Sequence, residues 1–174
     1  MRALLLLFSV FHVIVIAQNL TINEIMSMNN ESIFDLDDET SDWIELYNGS
    51  NQVINLHNFG MSDDGNSLFK WGFPDINIPA NSTYLIFASG KNIIANTEIH
   101  TNFKIAALGE ELYLTNPEGV LIDVLPAKTL LEDESYGRLP DGSNNIVLLD
   151  TPSPGNSNNT TNQLTFSELA GFLL

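Results

Sequence analysis

Apolar and β-branched residues fall in short runs separated by Gly, Asn, Asp and Pro, and no stretch keeps helical i, i+3, i+4, i+7 spacing over three turns. The pattern predicts strands at residues 22–28, 43–48, 52–56, 68–72, 83–89, 111–115, 120–124, 135–138 and 145–149. Asn116-Pro117-Glu118-Gly119 separates the sixth run from the seventh. Its Pro suits the second position of a tight turn and its Gly accepts a positive φ, so the two runs close into a hairpin. Asp63-Asp64-Gly65-Asn66 and Asp141-Gly142-Ser143-Asn144 carry the same turn chemistry. About nine short strands predict an all-β fold, an antiparallel sandwich or barrel, because each half-buried sheet must hide its apolar face against another.

Residues 43–48 show the alternation most clearly. Ile44 and Leu46 share one face, while Trp43, Glu45 and Tyr47 share the other. A carboxylate between two aromatics either lies on a solvated face or is half-buried and needs a partner. Outside the N-terminal segment the bases are Lys70, Lys91, Lys104, Lys128 and Arg138. Arg138 is the expected partner of Glu45, since its planar fork satisfies a carboxylate with two bonds and it lies in a predicted strand. The alternative is two unrelated exposed charges.

The N-terminus changes the picture of where this domain works. Arg2 is followed by an apolar run to Ile16, and Val15-Ile16-Ala17 offers acceptable residues for signal cleavage. A signal peptide over 1–17, cleaved after Ala17, leaves a mature form with no transmembrane span and a secreted or cell-surface location. The chain holds 22 acids against 6 bases, and no cysteine. Such acidity excludes a basic nucleic-acid footprint and a polybasic lipid anchor. Hydrophobic residues at 44% are too many for a chain disordered by composition, so the domain folds on its core without disulfides.

Catalytic chemistry is scarce. With no Cys, thiolate catalysis and Cys-based zinc sites are absent. His57 and His100 read as surface or strand-end histidines, and Ala88-Ser89-Gly90-Lys91 lacks the leading Gly and trailing Ser or Thr of a phosphate loop. The densest cluster is Asp35, Asp37, Asp38, Glu39 and Asp42, five carboxylates within eight residues. Packed like charges must splay into solvent or be neutralised by a cation. These five are therefore a candidate calcium site, although Thr40 and Leu46 break the EF-hand pattern counted from Asp35. No other cofactor is expected.

Several motifs, taken in order, resemble a bacterial lamin-tail domain. They are Ile22-Asn23-Glu24-Ile25-Met26-Ser27, Asp42-Trp43-Ile44-Glu45-Leu46-Tyr47-Asn48, Met61-Ser62-Asp63-Asp64 and Trp71-Gly72-Phe73-Pro74. Tyr84-Leu85-Ile86-Phe87-Ala88-Ser89-Gly90-Lys91, His100-Thr101-Asn102-Phe103-Lys104, Leu112-Tyr113-Leu114 and Ser135-Tyr136-Gly137-Arg138 continue the series to about Gly155. The resemblance implies an immunoglobulin-like β-sandwich over 18–155 with no catalytic residues. Trp43, Trp71 and Tyr136 are then structural, together with Glu45 and Arg138. Such domains look like accessory modules of secreted or surface proteins, which hold partner domains to protein, polymer or membrane.

Residues 156–163 are polar and read as a linker. Thr165-Phe166-Ser167-Glu168 and Gly171-Phe172 are similar to the opening of a small β-sandwich that ends chitobiase-like hexosaminidases, which makes 164–174 the start of a truncated C-terminal β domain. The expected function is a non-catalytic module for adhesion, anchoring or scaffolding, with a protein or extracellular polymer as partner. Two alternatives are a calcium-dependent carbohydrate- or polymer-binding module built on Trp43, Tyr47 and Trp71, and a fragment of a larger secreted enzyme.

Overall fold

The computed structural model describes residues 19–95, 97–149 and 151–158. The proposed signal sequence, the segment 164–174 and residues 159–163 of the proposed linker lie outside them. The described chain is all-β, with no helix and eleven strands rather than nine. In order these are β1 (Leu20–Met26), β2 (Trp43–Asn48), β3 (Ile54–Asn55), β4 (Gly60–Ser62), β5 (Trp71–Gly72), β6 (Asn77–Ile78), β7 (Ser82–Phe87), β8 (Leu112–Thr115), β9 (Leu121–Leu125), β10 (Ser135–Arg138) and β11 (Ile146–Leu149). Strands β4 and β6 have no counterpart in the sequence reading, because two or three residues are too few to display an alternation.

Antiparallel pairing builds a five-stranded sheet, β11-β10-β1-β2-β7, and a four-stranded sheet, β5-β4-β8-β9, with β3 and β6 as a short separate pair. Ile22, Ile25, Ile44, Leu46 and Ile86 of the first sheet meet Met61, Leu112, Leu114 and Leu125 of the second in one buried core. This is an immunoglobulin-like sandwich. The β8–β9 hairpin closes as the sequence predicts: Gly119 N donates to Asn116 O at 3.0 Å, and Gly119 takes φ 80°.

A β-bulge at Asn23 sets the rest of the architecture. Ile22 pairs with Leu46 and Glu24 with Glu45, so Asn23 is the extra residue. The extra residue changes the phase of the alternation, which lets Ile22 and Ile25 both reach the core while Glu24 turns to the outer face beside Glu45. Gly137 of β10 lies opposite Glu24, and a side chain there would begin 2.3 Å from Asn23 O. Only glycine allows that approach.

The outer face of the five-stranded sheet is covered rather than solvated. At one end Met26, Trp43 and Phe87 form a second buried cluster, with Ile33 of the acidic loop and Leu85 packed against it. At the other end the segment 151–158 lies over Glu24 and Glu45. Residues 156–158, read from sequence as linker, belong to this covering: Asn158 is buried, its N–H donates to Asp141 at 2.8 Å and its Nδ2 donates to Arg138 O at 3.1 Å.

Candidate functional site

The acidic loop precedes β2 and folds back on the loop that follows β7. Asp35 is its pivot. Its Oδ1 accepts the N–H of Asp37 at 3.0 Å and of Glu39 at 2.9 Å, which winds the loop around a buried carboxylate. Lys91 reaches in from the other side, with Nζ 2.5 Å from Asp35 Oδ2, 2.8 Å from Asp37 Oδ2 and 3.0 Å from Glu39 Oε2. Three of the five acids therefore converge on an ammonium supplied by the protein. Burial alone would raise Asp35, but the Lys91 ammonium and the Glu39 and Asp37 amides hold it below the usual carboxylate range.

The other two acids point elsewhere. Asp38 is exposed, with a left-handed φ of 59° at the loop tip. Asp42 lines an open groove of about 570 Å³ with Asn30, Phe34, Ser89 and Lys104. Burial pushes its carboxyl up to about 6, despite the Ile105 and Asn29 amides and the Lys104 charge.

Lys91 is locked in turn by a histidine that the sequence reading placed at the surface or a strand end. His57 is exposed, but His100 is fully buried, stacked on Phe87 with centroids 5.1 Å apart. His100 Nδ1 lies 2.8 Å from Ser89 Oγ and Nε2 lies 2.5 Å from Glu98 Oε1. Lys91 N donates to Ser89 Oγ at 3.1 Å, and Leu36 N donates to Glu98 Oε2 at 2.9 Å. Asp35, Glu98 and His100 bring one ligand atom each to within 4.8 Å of one another, yet those atoms are already paired with Lys91 and with each other. The arrangement ties the acidic loop to two other stretches of chain, 89–91 and 98–100. Ser89 and Lys91 are the residues whose fragmentary phosphate-loop pattern drew attention in the sequence, and their role is to hold this loop.

The expected Glu45–Arg138 pair does not form. Glu45 is fully buried and accepts from Asn23 Nδ2 at 3.0 Å and from Gly155 N at 2.7 Å. Arg138 instead joins the two sheets: Nε donates to Ile22 O at 3.0 Å, Nη1 to Ser143 O at 2.7 Å and Nη2 to Asp123 Oδ1 at 2.7 Å. Asp123 also accepts the Ile22 N–H at 2.7 Å. Arg138 and Asp123 thus satisfy the Ile22 carbonyl and N–H, which the β10 register does not reach.

Both tryptophans are core. Trp43 is 0% exposed, with its indole N–H unpaired. Trp71 is buried edge-on to Phe73 at 4.8 Å, and its Nε1 donates to Asn92 Oδ1 at 3.1 Å. Neither Trp is available as a sugar platform, which corrects that part of the carbohydrate alternative. Tyr136 is half-buried against the main core, and Tyr47 is half-buried at the rim of a polar groove with Asn81, Asp141 and Gly155.

Two antiparallel sheets packed face to face on one buried core define a class, the immunoglobulin-like β-sandwich modules. The chain matches the lamin tail domain family over residues 17–129 and belongs to that family. No match was found among curated proteins. The matched stretch ends before β10, so Arg138 and the 151–158 covering lie beyond it.

Proposed function

We propose that this protein is a secreted or cell-surface, non-catalytic module that anchors or scaffolds a protein or extracellular polymer. The observation that supports this reading is the use of its reactive side chains. His100, Ser89, Glu98 and Lys91 are bonded to one another, and Glu24 and Glu45 are bonded to the segment above them. Groups held this way stiffen loops on a sandwich, and a stiff sandwich suits a mechanical or spacing role. Belonging to a family of immunoglobulin-like modules agrees with it.

The reading is tested by expressing the full chain in a cell that carries out signal cleavage, sequencing the N-terminus of the product and fractionating the cells. A product that starts at Gln18 and is found in the medium or surface fraction, binding isolated surface polymer, is the expected outcome. A cytoplasmic product that retains Met1 refutes it.

A further inference from the structure

Glu24 and Glu45 face each other across the β1–β2 register, both fully buried. Two carboxylates so placed cannot both carry charge unless a cation joins them. The groups facing them are Asn23 in the bulge, Ser135 from β10, Asp141 from the β10–β11 turn, and Ser153 and Gly155 from the covering segment. The charged group among these is a further acid, Asp141, and the Arg138 guanidinium is turned to Asp123.

Counting hydrogens places a proton here. Ser153 N donates to Glu24 Oε1 at 3.1 Å, and Ser153 Oγ lies 2.9 Å from Glu24 Oε2 while also bonding Asn158 Oδ1. Asn158 Nδ2 donates to the Arg138 carbonyl, which fixes Oδ1 as the atom facing Ser153. One hydroxyl cannot donate to two acceptors. The bonds balance when Glu24 Oε2 carries a proton and donates to Ser153 Oγ, which donates onward to Asn158.

We propose that residues 151–158 form a proton-dependent latch, docked on the sheet while the Glu24–Glu45 pair holds a proton and released as that proton leaves. Burial raises both carboxyls, Glu45 from 4.5 to about 8. Release returns them to water and to ordinary values. Between those limits the docked state keeps a proton that the released state sheds, so docking weakens by up to about tenfold per pH unit as pH rises. The hold on residues 151–158 therefore tightens in acid.

Amide exchange at Ser153 and Gly155 of the full chain, corrected for intrinsic rate and referenced to β1 amides, tests the latch from pH 5 to pH 9. Protection is expected to fall by up to about tenfold per unit. Glu24→Gln and Glu45→Gln together should lose most of that dependence, since neither position then titrates. Protection independent of pH in the wild type, or a double variant that follows the wild-type fall, overturns the proposal. If the double variant does not fold, the carboxyl carbon resonances of Glu24 and Glu45 in the wild type decide, read at whichever titrates higher. A midpoint above the ordinary glutamate range supports the latch, and an ordinary midpoint overturns it.

Discussion

Lys91 sits where three carboxylate oxygens of the acidic loop meet, at the position that a bound divalent ion would take in a loop of spaced acids. Replacing it by Met leaves the buried Asp35 without its counter-charge. Lys91→Met is therefore expected to lower the melting temperature by several degrees, and millimolar calcium should restore the variant more than it shifts the wild type. Equal melts of variant and wild type in chelator would set this role aside. The sequence left the five acids either splayed into solvent or neutralised by a cation, and Lys91 was among five bases that could be counted. What it could not show was the fold-back that brings residue 91 to residue 35. Glu45 illustrates the same limit: its partners are an amide side chain and a backbone N–H, which no count of charges detects.

At the scale of elements, β2 and β10 begin and end where their sequence patterns do, whereas β1 runs from Leu20 to Met26 rather than over 22–28. The predicted strand at 83–89 stops at Phe87 in the structure, and Ser89 turns instead to His100. Strands β3, β5 and β6 have two residues each, and their placement is decided by pairing partners rather than by local pattern. Arg138 links β10 to β1, to Ser143 of the β10–β11 turn and to Asp123 of β9 through three separate N–H donors. A lysine cannot reproduce that fork. Arg138→Lys is expected to cost about 2–4 kcal/mol in urea unfolding. Asp123→Asn made in the Arg138→Lys background should cost much less than it does alone. Additive losses would mean that the two side chains do not act together.

For the whole molecule, two sets of acids have opposite effects on stability. Asp35, favoured as a carboxylate by Lys91 and backbone amides, and Asp133, which accepts the amides of Glu31 and Asn30, are held low, so their contribution is lost as pH falls below about 3.8. Asp42 is raised by burial to about 6 and Glu45 to about 8, with Glu24 raised as well, and their contribution is lost as pH rises from about 4 toward 8. The urea midpoint is therefore expected to be higher at pH 5 than at pH 8.5. A midpoint that rises over this interval would contradict the assignment of buried, proton-holding carboxyls.

The central place of β1 in its sheet also has a consequence for synthesis. Its neighbour β2 follows soon after it, but its other neighbour, β10, begins only at Ser135. A chain leaving the ribosome thus carries β1 with one open, largely apolar edge until most of the protein has been made, and such an edge is a template for another chain. Folding must wait for pairings distant in sequence, which is slow. A chain interrupted before Ser135 would present that edge permanently, and is expected to be recovered as aggregate rather than as a smaller folded domain.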